Sequence, residues 1–222
     1  MTSLRLAILH CGTLLGSGLS AVSPLSASAE TARASVIVLY ETGFESYEGF
    51  SAEDDLAGQG GWVGYANDLE GKEAPFGGNG VLADPRPGFT GQYAYIGYVS
   101  SNPTADFNLW RPVDLIPAIP PLPLIRFRVS FEIADSTVDA PFYDDFRWSI
   151  YNTEDHRLLS LDFDNDLREV NFILDESNPD IRPTGFTFDN GVPYDLEIDL
   201  NLQRNLWTAR INGLVVVPSQ PI

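Results

Sequence analysis

The 222-residue chain holds one cysteine, Cys11, one methionine, two histidines and only 13 basic side chains against 31 acidic ones. A single cysteine excludes an internal disulfide framework and zinc sites built on thiolates. The shortage of Lys and Arg, at a formal charge of −18, excludes a nucleic-acid binder, which needs clustered cations to neutralise phosphates. No uninterrupted apolar run approaches the roughly 20 residues that cross a bilayer as a helix, so membrane insertion is not expected. No G-x-S-x-G stands in the chain, and His156 lies in the polar turn Asn152 to Arg157, which leaves a nucleophilic triad without parts. Helical periodicity is also missing: no window longer than about ten residues carries it.

Apolar residues are plentiful at 44%, and 19 Gly and 16 Pro punctuate them. The first stretch has the order of an export leader. Arg5 precedes the apolar run Leu6 to Leu9, which resumes through Leu14, Leu15, Leu19 and Val22 before Ala27-Ser28-Ala29. The expectation is that residues 1–29 are a signal peptide and residues 30–222 one domain. Its location is then secreted, periplasmic or cell-surface. Cys11 and His10 leave with the leader, which carries no carboxylate, so the mature part is more acidic still.

The body alternates with period two. Ile125, Phe127, Val129, Phe131 and Ile133 fall on one side of an extended chain, with Arg126, Arg128, Ser130 and Glu132 on the other. Alternation this long predicts a half-buried antiparallel strand. The same reading predicts strands at Phe146–Ile150 and Leu159–Phe163, the latter turning at Asn165-Asp166 and returning through Val170, Phe172 and Leu174. It sets Ser160, Asp162 and Asp164 outward. Near the end, a tip at Leu202 to Asn205 puts Leu200 opposite Trp207, Ile198 opposite Ala209, Leu196 opposite Ile211 and Glu197 opposite Arg210. Only this register places every apolar residue on one face. Asn212-Gly213 then predicts a tight turn into Leu214 to Val217. Arg111 to Leu124 holds five prolines and is expected to be an extended crossover. Strands joined by turns predict an all-β antiparallel sandwich.

Two local patterns resemble the concanavalin A-like lectin/glucanase superfamily, in particular its secreted bacterial modules. One is Phe44-Glu45-Ser46-Tyr47-Glu48-Gly49 followed by Gly58-Gln59-Gly60-Gly61-Trp62. The other is Tyr194 to Leu200 with Asn205 to Gly213, similar to a laminin-G-type hairpin ending in Asn-Gly. The resemblance implies a jelly roll, and it covers the two ends of the mature chain. It departs from the pattern at the C-terminus, where such modules usually carry a further closing strand.

Four constellations carry candidate chemistry. Tyr93, Tyr95 and Trp62 are the candidate ligand-stacking residues for a glycan, if Ala94 and Ile96 point inward. Asp162, Asp164 and Asp166 form D-x-D-N-D, a candidate calcium site of hard oxygen ligands, although Leu167 and Ile173 replace the Gly and Glu of an EF-hand loop. Asp139, Asp144 and Asp145 are a looser acidic group. Glu197-Ile198-Asp199 is similar to the Glu-x-Asp core of family-16 glycoside hydrolases. Retaining hydrolysis needs a second carboxyl group as acid, and Asn201 and Leu202 stand where that acid is expected. The functional expectation is therefore a non-catalytic recognition or structural module with glycan as ligand and no cofactor beyond calcium. A polysaccharide hydrolase and a purely architectural envelope protein are the alternatives.

Overall fold

In a computed structural model, residues 3–6, 38–52, 54–66, 78–84, 86–96, 107–114, 124–135, 145–174 and 180–222 are described. The secondary structure is all-β and antiparallel, with one short 3-10 turn at Ser46–Glu48. A seven-stranded sheet runs in the spatial order β10 (Ile181–Thr187), β9 (Glu169–Ile173), β8 (Arg157–Asp164), β7 (Phe146–Tyr151), β1 (Ser3–Leu6), β5 (Phe107–Asp114), β2 (Val63–Ala66). A four-stranded sheet has the order β13 (Leu214–Pro221), β12 (Leu206–Ile211), β11 (Pro193–Asn201), β6 (Leu124–Glu132). The strands β3 (Asn79–Leu82) and β4 (Tyr93–Ile96) form a separate ribbon.

The predicted alternation becomes the core. On β6, Ile125, Phe127, Val129 and Phe131 are buried while their neighbours face out. On β11 and β12, Tyr194, Leu196, Ile198, Leu200, Trp207, Ala209 and Ile211 are all buried. The hairpin has the predicted register throughout, from Leu196 opposite Ile211 to Leu200 opposite Trp207. Asn212 and Gly213 both take positive φ, 49° and 77°, the backbone that a two-residue hairpin turn demands. The Asn212 side chain holds it by accepting a hydrogen bond from Asp195 N at 2.8 Å.

Aromatic rings join the two sheets. Phe127 and Phe131 of β6 lie 5.7 and 6.4 Å from Trp148 of β7, and Phe172 of β9 lies 6.2 Å from Trp207 of β12. These offset and edge-on pairs place the sheets face to face, which gives a sandwich-like arrangement. At one side, β10 of the larger sheet lies against β13 of the smaller. Both are edge strands. β10 carries Pro183 and a register break before Thr187, and β13 carries Pro218 and Pro221 and pairs irregularly with β12.

The structure corrects three expectations. Arg111–Asp114 are the second half of β5, not crossover, while residues 115–123 lie outside the described residues. Pro112 is tolerated because, among the described residues, that half of β5 has a strand on one side only. Ser160 and Asp162 are buried although they face away from the core. Asn165, read as part of a solvated turn, is 1% exposed, and its amide donates to Ala134 O. Ser3–Leu6 forms β1 between β5 and β7.

Candidate functional site

The first family-like pattern builds structure around itself. Thr42 Oγ1 and the amides of Gly43 and Glu45 all donate to Glu48 Oε2, at 2.9–3.0 Å. Gln59 pins the next loop, accepting from Ser51 N and donating to the carbonyls of Ser51, Asp54 and Asp55. Phe44, fully buried at φ 59°, packs edge-on against Phe50, 5.3 Å away, and beside Trp62 at 6.0 Å. Gly60 is required because a Cβ there would meet the Phe50 ring at 2.5 Å. The Glu48 and Gln59 side chains are thus bonded within the motif's own loops.

The proposed stacking residues do not form a platform. Trp62 is 1% exposed, a core residue whose Nε1 donates to Tyr40 Oη at 3.3 Å. Tyr93 is 8% exposed; its ring stacks on Phe89 and its hydroxyl is hydrogen-bonded to Arg86. Ala94 does point into the core, but Tyr95 is half-buried, and its ring lies so close over Gly80 that a Cβ there would meet it at 2.8 Å. The residues that lead into β4 cover the face that alternation alone would have left open.

The three carboxylates of the D-x-D-N-D run have different surroundings. Asp162 receives a bidentate pair from Arg147, at 3.1 and 3.0 Å, and Asp164 Oδ1 accepts from Leu167 N, while Asp166 stands exposed in the turn. Burial pushes the Asp145 carboxyl above its ordinary range, and the charges of Asp162 and Asp164 push it further. Among the described residues no three His, Cys, Asp or Glu side chains converge as a metal site. Asp139 and Asp144 lie outside the described residues.

Glu197 and Asp199 are locked in a lattice on the outer face of the smaller sheet. Arg126 holds Asp199 through Nε at 2.6 Å and Nη2 at 2.8 Å. Arg128 holds Glu197 at 2.8 Å, and Arg210 reaches both carboxylates at 3.0 Å. Burial raises the Asp199 carboxyl, but the hydrogen bonds from Arg126 and Arg210 outweigh it and hold the group below its ordinary 3.8. A carboxylate kept ionised by two arginines is a poor proton donor.

The outer face of the larger sheet is different, and the sequence reading passed over it. One row across β9, β8 and β7 is Ile173, Ser160, Ser149, and the next is Asn171, Asp162, Arg147. The Ser149 and Ser160 hydroxyls share a 2.6 Å hydrogen bond on a buried floor. Arg147, with 45% of its side chain exposed, and the half-buried Asn171 and Tyr151 rise beside it. The signal was present in the sequence: Arg147, Ser149 and Tyr151 alternate against Trp148 and Ile150. Comparison with protein-family models, curated proteins and solved structures gave no match. The site is therefore read from its own chemistry.

Proposed function

We propose that the chain is a secreted, non-catalytic module, a jelly-roll sandwich of concanavalin A-like type, that recognises glycan on the outer face of the larger sheet. The carrying observation is the row Asn171, Asp162, Arg147 beside the Ser149–Ser160 floor. Donors and acceptors there are already fixed by mutual bonds, so a polyhydroxylated ligand meets groups that lose little freedom on binding. Tyr151 supplies an amphipathic ring at the margin. A protein partner fits less well, because protein interfaces have apolar centres depleted in charge. The net charge of −18 favours a neutral glycan over a sulfated or uronic one. Hydrolysis is disfavoured because Glu197 and Asp199 are both spent on arginines.

A glycan array followed by polysaccharide pull-down tests the reading. Binding to a neutral glycan that Tyr151→Ala and Asn171→Ala each weaken about tenfold, with unchanged thermal unfolding, is the expected result. Absence of any glycan binding, or binding indifferent to both variants, overturns it. Release of reducing ends from β-glucan that disappears in Glu197→Gln establishes the hydrolase instead.

A further inference from the structure

The smaller sheet has two rims of different character. β13 carries two prolines and pairs irregularly with β12, whereas β6 carries neither proline nor glycine. β6 lies at the other rim and, among the described residues, pairs with β11 alone. Its register runs without a shift from Leu124 opposite Asn201 to Glu132 opposite Pro193. A regular strand with one unpaired backbone edge is a template for a further strand.

Charged side chains can guard such an edge by standing past it. Arg126 and Arg128 turn back over β11 instead. Arg126 gives Nε and Nη2 to Asp199 at 2.6 and 2.8 Å, and Arg128 gives Nε to Glu197 at 2.8 Å. One end of the edge is closed. Arg86 donates to Glu132 through Nε at 3.0 Å, and a Cβ at Gly88 would meet the ring of Pro193, the register partner of Glu132, at 2.6 Å. The stretch left open among the described residues is Leu124–Ser130, with Leu124 exposed at its far end.

The rows across the sheet say what chemistry fits beside this stretch. One row reads Arg210, Glu197, Arg128 from β12 to β6, and the next reads Thr208, Asp199, Arg126. Charge alternates along the first row, and both rows stop at an arginine. The position beyond each arginine therefore suits a carboxylate, because opposite charges on neighbouring strands stabilise and like charges destabilise. Arg126 and Arg128 keep 42% and 65% of their side-chain surface exposed. Each guanidinium has five donors, so bonds to β11 leave capacity for a second acceptor. Between these two rows, Phe127 and Ile198 are buried on the core side, so the position beyond them suits an apolar side chain.

A second copy of the chain does not supply this pattern. The open stretch of β6 and the rim strands β2, β10 and β13 contain no carboxylate. The net charge of −18 opposes an acidic partner at long range, but salt screens charges beyond about 8 Å, and the two arginines decide the contact itself.

We propose that Leu124–Ser130 is a docking edge for an extended segment of another protein, which adds a fifth strand to the smaller sheet. Its acidic side chains, two positions apart, lie beside Arg126 and Arg128, with an apolar residue between them. Backbone hydrogen bonds supply affinity and the two arginines supply specificity. The docking edge is independent of the glycan reading, which concerns the other sheet.

The probe is a capped seven-residue peptide of alternating valine and glutamate, fluorescently labelled and titrated with the full chain. It should bind at least tenfold more tightly than the same peptide with lysine in place of glutamate. Arg128→Gln should reduce that preference at least threefold, and Val215→Gln on the β13 rim should leave it unchanged. Hydrogen exchange of the wild type gives a second measurement: the peptide should slow amides within Leu124–Ser130 and leave those of Leu214–Pro221 as they were. Absence of binding, equal binding of the lysine peptide, or slowing confined to another strand overturns the proposal. So does a wild-type chain that sediments as a dimer with every Leu124–Ser130 amide already slow, which assigns the edge to a second copy.

Discussion

A methyl group added at Gly91 would land on Glu45 Oε1, in a backbone held at φ +80°, where side chains other than glycine are strained. The same Oε1 accepts a hydrogen bond from Gln92 N at 3.2 Å, so the carboxylate cannot move aside without losing it. Gly91→Ala is therefore expected to destabilise by about 2 kcal/mol or more, read as a lower urea midpoint at unchanged slope. A fall within error would show that Glu45 swings away freely. Residue-scale features of this kind explain why the family-like pattern near the N-terminus looked informative and yet yielded no ligand chemistry. Glu48 is taken up by Thr42, Gly43 and Glu45, Gln59 by Ser51, Asp54 and Asp55, and Gly60 is required by the Phe50 ring, which also packs on Phe44. Their spacing was visible in the sequence; these partners are a property of three dimensions. Trp62 shows the same limit, since nothing local distinguishes an indole that packs on Phe44 from one that faces a sugar.

At the scale of elements, the β11–β12 hairpin was legible almost completely. Period-two alternation on both strands leaves one register that buries every apolar side chain, and the hydrophobic effect selects it. Trp207 sits one pair from its tip, 1% exposed and edge-on to Phe172. Trp207→Ala should cost about 3–5 kcal/mol, while Leu214→Ala on the exposed edge strand should stay within about 0.5 kcal/mol, both from chemical denaturation. Equal losses would mean that the sheets do not meet as described. The opposite faces were less legible, because alternation says which residues turn from the core and not what they then meet. Ser149, Ser160 and Asp162 face outward as alternation says, but Ser149 meets Ser160 and Asp162 meets Arg147, each across a strand pair that no local pattern announces. On the smaller sheet the outward residues pair across three strands, and this gives a pH signature. Asp199 is held below its ordinary 3.8, so its stabilisation is complete above that value and is lost as pH falls through the lower folded-state value. Asp145, held above its ordinary value, acts in the opposite sense: its burden appears as pH rises through the raised value. The urea midpoint should therefore drop as acid passes below about pH 4, and Asp199→Asn should flatten that drop. An unchanged acid limb in the variant removes the lattice as its cause.

For the whole molecule, charge and topology act together. A formal charge of −18 is carried by a fold in which Glu197 and Asp199 are neutralised locally by three arginines. The net negative charge opposes binding to anionic membranes and polymers. Glycan capture through hydroxyls and amides should accordingly change little with ionic strength, whereas contact with a cationic polymer should weaken as salt screens it. The architecture as a class, all-β and antiparallel, followed from turn spacing and alternation; the strand order did not. That order depends on long-range choices, such as β5 leaving β2 at Trp110 for a new neighbour at Arg111, which no local pattern announces. The rims of the two sheets carry a last consequence. With Pro183 interrupting β10, Pro218 and Pro221 interrupting β13, and the two strands lying against each other, this side offers no long regular edge to a second molecule. At high concentration the protein is thereby protected on that flank against growing into fibrils.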